Sequence, residues 1–156
     1  INTILDEAEL PPNALELELT ESILLEDETQ SKKVLTALRS LGVNIAIDDF
    51  GTGYSCLSNL KRYPISSLKI DKSFVVDVQS NTENAAICSA VIRLAKELGI
   101  QVTAEGVEDE FALEFLLNRK CEQYQGFHFS PPLSCMSFES LLCDLSGAPP
   151  SKERRP

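Results

Sequence analysis

Five short apolar runs recur along the chain, at intervals that each hold one strand and one helix. They are Leu15 to Leu19, Val43 to Ile47, Ser67 to Ile70, Gln101 to Ala104 and Tyr124 to Phe129, and their starts lie 28, 24, 34 and 23 residues apart. Between them the apolar residues shift to helical spacing. Val34, Leu35, Leu38 and Leu41 form one stripe, and Ile87, Val91, Leu94, Ala95 and Leu98 a second. Phe111, Leu113, Phe115, Leu116 and Leu117 supply a third apolar stretch. Ile1, Ile4, Leu5 and Ala8 share a face as well, so the opening reads as a cut through a helix.

The sequence also echoes itself. Leu41-Gly42-Val43-Asn44-Ile45-Ala46-Ile47-Asp48-Asp49 aligns with Leu98-Gly99-Ile100-Gln101-Val102-Thr103-Ala104-Glu105-Gly106. Each copy reads as a helix end, a Gly suited to the left-handed C-terminal position, an apolar strand and a carboxylate. The glycines are common to any α/β protein; the carboxylates carry the information. Repetition of helix, Gly and strand implies a parallel sheet with right-handed crossovers. A doubly wound nucleotide binder would show a Gly-rich phosphate loop, and neither GxGxxG nor GxxxxGK[ST] occurs. A barrel instead places its chemistry at the C-terminal ends of several strands.

That is where the polar residues fall. The strands are expected to end in Leu17 to Ser22, Ile47 to Ser55, Leu68 to Asp71, Ala104 to Glu108 and Gln125 to Phe127, so Glu18, Asp48, Lys69, Glu105 and Gln125 are expected to converge on one mouth. Carboxylates so dense repel one another unless cations sit among them. Hard divalent ions with oxygen ligands, Mg²⁺ or Mn²⁺, suit that role, and adjacent Asp48 and Asp49 could bridge two of them to activate water against a phosphodiester.

Each residue has a plainer reading when taken alone. Glu18 between Leu17 and Leu19 is a solvated strand residue, Ser22 a helix cap and Glu21 a first-turn acid. Gly51 and Gly53 are loop glycines, Lys69 a surface lysine and His128 a structural histidine. Asp49-Phe50-Gly51 resembles a kinase triplet, but no HRD loop, Gly-rich loop or VAIK-type strand accompanies it. It is their joint placement at consecutive strand ends that argues for a site.

Bulk properties narrow the class. A net charge of −10 over 156 residues disfavours nucleic-acid polymers. Five scattered cysteines without a CxxC pair, and one histidine, argue against structural zinc or a disulfide framework and fit a reducing cytoplasm. No run reaches the roughly 18 apolar residues of a membrane span.

Taken together, these motifs resemble the EAL family. Leu17 to Ser22 is similar to its ELTES-type strand end, Asp48 to Ser55 (DDFGTGYS) to its most characteristic loop, and Lys69-Ile70-Asp71 to its KID. Ala104 to Glu108 resembles its AEGVE and Gln125-Gly126-Phe127 its QGY/QGF. Order and spacing match over residues 4 to 140. The resemblance implies an α/β (β/α)8 TIM-barrel-like fold and a cytoplasmic phosphodiesterase that opens cyclic di-GMP to linear pGpG with Mg²⁺ or Mn²⁺, two ions in the complete domain. It implies Glu18, Asp48 and Asp49 as metal ligands, Lys69 holding the attacking water or a phosphate oxygen, Glu105 as metal and water positioner or base, and Gln125 as support. Glu21, Gly51, Thr52, Gly53, Asp71 and Glu108 would serve the loop and the site's margin. A homodimer, and sensory or GGDEF-type domains in the parent protein, are further implications.

The sequence departs from the family layout in one large respect. No Glu-Ala-Leu strand precedes residue 15, nor a following strand with an Asn ligand; Glu7-Ala8-Glu9-Leu10 lies in the helical region. A full barrel takes about 250 residues, so residues 1–140 are expected to form about five strand–helix units and 146–156 a flexible tail. Cys56 and Pro131 are smaller departures. An open five-strand sheet is expected to expose apolar barrel edges and to be unstable or associate, leaving this isolated piece inactive. An inactive cyclic di-GMP-binding or regulatory module, and another metal-dependent barrel of the enolase kind, are the alternatives.

Overall fold

The computed structural model describes residues 1–21, 23, 28–52, 60 and 62–146. Ser22, Gly53, Tyr54, Ser55 and Cys56, with residues 147–156 of the expected tail, lie outside the described residues. Along the chain run α1 (Asn2–Glu7), a 3-10 turn (Pro12–Ala14), β1 (Glu16–Thr20), α2 (Glu28–Ser40), β2 (Asn44–Phe50), β3 (Ser67–Ile70), α3 (Lys72–Val75), α4 (Thr82–Leu98), β4 (Gln101–Ala104), α5 (Glu110–Asn118), β5 (Gln123–Tyr124) and α6 (Cys135–Ser146).

The five strands form one sheet, every pairing parallel and spatial order equal to chain order. That sequential order is a barrel's; a doubly wound sheet would reverse at a switch point. The helix ends follow local chemistry. The Asn81 side chain accepts from the N–H groups of Glu83 and Asn84 at 3.0 and 3.1 Å to start α4, and Asp109 accepts from Ala112 N–H at 2.8 Å to start α5. Gly99 closes α4 in the left-handed conformation, φ +70°.

Alternation gives the sheet two unlike faces. Ile45, Ile47, Leu68, Ile70, Val102 and Ala104 pack against Cys88, Val91, Ile92 and Ala95 of α4 and Ala112 and Leu116 of α5. The opposite face carries Glu16, Glu18, Asp48, Ser67, Lys69 and Thr103. The barrel-lining face left open by five strands is polar. The expected exposed apolar side chains lie at the two ends of the array, Ile1, Ile4 and Leu10 before β1, and Phe127, Phe129, Met136, Phe138 and Leu145 on α6 and the turns before it. Cys88, Cys121, Cys135 and Cys143 are free thiols, and burial, with Cys121 nearby, pushes Cys88 up to about 11.

Some expected boundaries move. In α2 only Leu35 is buried, while Val34 and Leu41 face solvent; in α5 the buried pair is Ala112 and Leu116, with Phe111 and Leu117 outside. Of the opening stripe only Leu5 is buried. α6 runs to Ser146, whose hydroxyl donates to Leu142 O at 2.6 Å. β5 stops at Tyr124 instead of running to Phe129, since the chain bends over Val107: Val107 N–H donates to Gln125 O and His128 N–H to Val107 O, at 3.1 and 3.0 Å. A Cβ on Gly126 would lie 2.1 Å from the Val107 carbonyl oxygen. Gly126→Ala is therefore expected to cost about 2 kcal/mol or more, read from urea unfolding, with amide exchange at Gln123–Gln125 accelerated first.

Candidate active site

Between β2 and β3 the register slips. Ile47 pairs with Leu68 and Phe50 with Ile70, so β2 spends one residue more than β3 over the same span. The two residues standing against the single Lys69 are Asp48 and Asp49, an arrangement that a β-bulge produces and that re-aims side chains. Asp48 stays in line with β1, paired with Thr20, while Asp49 takes the left-handed conformation at φ +52°.

Lys69 is the junction of the site. Its ammonium lies 2.8 Å from Glu18 of β1, 3.3 Å from Asp48 of β2 and 2.6 Å from Glu105 just past β4, with the side chain only 9% exposed. Gln125, just past β5, donates to the same Glu105 oxygen at 2.9 Å. All five strand-end residues singled out by sequence are thus brought together. Burial alone would pull the Lys69 pKa down, but hydrogen bonds to Glu105 and Glu18 and the charges of Glu105 and Asp48 outweigh it and hold the ammonium well above its usual range.

Asp49 turns away from this junction toward Asp71. Desolvation raises its carboxyl above the ordinary value, and repulsion from Asp48 and Asp71 with a hydrogen bond to Asp71 adds to the rise, against a smaller pull from Lys69. Asp71 itself caps α3, accepting from Ser73 N–H at 3.0 Å and from the Ser73 hydroxyl. Burial raises Asp71, but those bonds, the Lys72 N–H and the Lys72 charge hold it below the ordinary 3.8. Thr52 turns back on Asp49, its hydroxyl 2.9 Å from the Asp49 carbonyl, and Gly51 sits where a Cβ would press on the Phe74 ring at 3.1 Å. Glu21 follows β1 with one carboxylate oxygen buried. Glu108 stands further out, on a cleft of about 460 Å³ that reaches from Glu105 and Gln125 to Lys72, Phe127 and Pro131. Sequence reasoning missed Lys72 as a lining residue; its place directly after the KID strand end was the available signal.

The EAL domain family model matches residues 1–132. The chain belongs to the EAL domain family. It is 44% identical over 144 residues to the signaling protein YkoW of Bacillus subtilis, and 44% over 138 residues to the cyclic di-GMP phosphodiesterase NbdA of Pseudomonas aeruginosa. These alignments take in 92% and 88% of the chain and 18% of each relative, so the chain spans about a fifth of those proteins. Among solved structures, the Pseudomonas aeruginosa MucR phosphodiesterase in complex with cyclic di-GMP superposes with a TM-score of 0.84 at 42% identity, covering 88% of this chain and 56% of that one. Klebsiella pneumoniae BlrP1 with manganese and cyclic di-GMP gives 0.77 at 39%, covering 84% and 34%. The five-strand sheet is part of that TIM-barrel-like EAL fold.

In kind, the oxygen donors of this EAL chain fit a hard divalent cation. Asp48 Oδ1 is buried without an aligned hydrogen bond, its nearest partner being Lys69 Nζ at 3.3 Å. In number they form part of a shell, because an ammonium occupies the middle of the carboxylates. Among the described residues no three Asp, Glu, His or Cys side chains stand close enough to hold an ion by themselves. Removing the ammonium leaves Glu18, Asp48 and Glu105 facing one another. Lys69→Met is expected to lower stability by about 1–3 kcal/mol at neutral pH, less than for a fully buried pair because Glu18 can turn to water; urea unfolding measures it. For Asp71, a folded pKa below the unfolded one gives stability that is present above 3.8 and lost as pH falls through the lower folded value. Asp71→Ala should therefore cost about 1 kcal/mol at neutral pH, and the difference from wild type should shrink once the pH drops below 3.8.

Proposed function

We propose that the chain supplies five strands of the catalytic face of a phosphodiesterase that opens cyclic di-GMP to linear pGpG. The observation that carries this reading is the Lys69 junction, which draws carboxylates from β1, β2 and β4 onto one buried ammonium at the strands' C-terminal ends. The cyclic di-GMP complexes of related EAL structures support it.

In this reading Glu18 and Asp48 hold one Mg²⁺ or Mn²⁺ ion and Asp49 serves a second. Bound there, divalent ions act as Lewis acids on the phosphodiester and lower the pKa of water. Hydrolysis adds hydroxide to phosphorus, breaks one phosphodiester P–O bond and returns a proton to the leaving oxygen. Lys69, paired with three carboxylates, stays charged and is not the base that takes the attacking water's proton. It donates to the attacking water or to a phosphate oxygen as negative charge develops. Glu105 is the better placed base, and Gln125 fixes the orientation of its carboxylate by donating to Oε1. Glu21, with Gly51 and Thr52, steadies Asp49, Asp71 sets the start of α3, and Glu108 borders the cleft where a nucleotide portion of the substrate would enter.

A homodimer, with residues 1–140 forming the EAL portion of a longer protein that carries sensory or GGDEF-type domains, completes the proposal; the site would work in the cytoplasm. Among the described residues no helix is long and apolar enough to cross a membrane. The test is hydrolysis of cyclic di-GMP by the full-length protein with Mn²⁺. Asp48→Asn is expected to lower kcat roughly 10²-fold or more. Turnover indifferent to that substitution would overturn the site assignment, and binding without turnover by the wild type would favour a regulatory module.

A further inference from the structure

A second contact crosses the sheet beneath the Lys69 junction. Ser67, 2% exposed on β3, donates its hydroxyl to Glu16 Oε2 of β1 at 2.9 Å. β1 and β3 are not neighbours; β2 lies between them. The intervening residue is Ala46, which pairs with Glu18 on one side and Ser67 on the other. Its methyl group is small enough for side chains to pass over.

The two cross-sheet contacts run on the same diagonal. Through Ala46, Glu18 is level with Ser67, yet it bonds Lys69, two residues further along β3. Glu16 is level with Asn44, two residues before Ala46, and it bonds Ser67. Glu16–Ser67 is thus the Glu18–Lys69 contact repeated one side-chain layer lower, with a hydroxyl in place of the ammonium. Each pair is two residues from the other on both strands, so the lower contact holds β1 and β3 at the same offset that the Glu18–Lys69 pair requires.

We infer that Glu16 and Ser67 are positioning residues of this site. They clamp β1 to β3 across Ala46, and they act on the reaction through the geometry of Glu18 and Lys69 without touching substrate. The effect on turnover rests on the phosphodiesterase reading; the effect on the Glu18–Lys69 pair rests on geometry alone.

Both are tested in the full-length protein. Ser67→Ala and Glu16→Leu should lower kcat for cyclic di-GMP roughly 10-fold with KM changed less than about twofold, the range found for groups that orient a functional side chain. Glu16→Gln, which keeps an acceptor oxygen, should restore kcat to within about twofold of wild type. Ser66→Ala is the control: Ser66 accepts from Ile45 N–H at 3.0 Å, so it should lower Tm and leave kcat alone. Independently of activity, the Tm loss caused by Ser67→Ala should fall to about half or less when Lys69 is already Met, since coupled residues are non-additive. Additive Tm losses together with an unchanged kcat would overturn the inference. A wild type without turnover would defeat the phosphodiesterase reading, and the Tm cycle would still decide the coupling.

Discussion

One ammonium holds three strands to a common point. Lys69 sits nearly out of solvent, where an unpaired charge would cost several kcal/mol, and it is tolerated because Glu18, Asp48 and Glu105 close around it. The dependence runs both ways. Without the lysine those carboxylates face one another; without them the lysine has no reason to stay charged. The strand-end architecture follows from this, since β1, β2 and β4 reach the same atom only if their C-terminal ends are level. The parallel, in-order register delivers that alignment.

The bulge in β2 resolves a conflict between the two faces of the sheet. Strict alternation would send one of two adjacent aspartates into the apolar layer that packs on α4. By setting two residues against Lys69 alone, β2 keeps Asp48 on the polar face and turns Asp49 aside in a left-handed conformation, toward Asp71 at the start of α3. Phe50 then returns to the core at 3% exposure. An uncommon backbone conformation at a non-glycine residue is thereby tied to the separation of two acidic positions, the kind of local strain that functional sites concentrate.

What the sequence showed clearly were the features set by periodicity. β3 and β4 have the expected boundaries, the stripe of α4 faces the sheet, and the strand-end residues Glu18, Asp48, Lys69, Glu105 and Gln125 meet as their positions implied. What it hid depends on contacts distant in the chain. β5 ends early because Gly126 lies against the Val107 backbone, a packing constraint that no local pattern of Gln123 to Phe129 encodes. Asp48 and Asp49 read alike as adjacent acids and part company only through the register against β3. Lys72–Val75 and α6 have local signals of their own: Asp71 and Ser134 are good N-cap residues, and Phe138, Leu141, Leu142 and Leu145 keep helical spacing. Periodicity and the EAL motifs point to the same strand ends, whereas the Glu16–Ser67 contact lies outside those motifs and is visible only in the cross-sheet geometry.

The balance of charge at the mouth bears on what the site can accept. Three carboxylates surround one ammonium, and Asp49 and Asp71 stand beside them, in a chain whose net charge is already −10. A phosphodiester anion approaching this surface meets repulsion that Lys69 cannot offset, because its charge is shared among partners at 2.6 to 3.3 Å. The buried, poorly bonded oxygen of Asp48 is a place where further positive charge would be welcome. The same carboxylates that repel an anionic substrate in the absence of divalent ions would, with them, recruit the charge that receives it. If the proposed phosphodiesterase reading holds, affinity for a phosphodiester and affinity for a divalent ion would be one electrostatic property, set by how firmly Lys69 keeps Glu18, Asp48 and Glu105 in place.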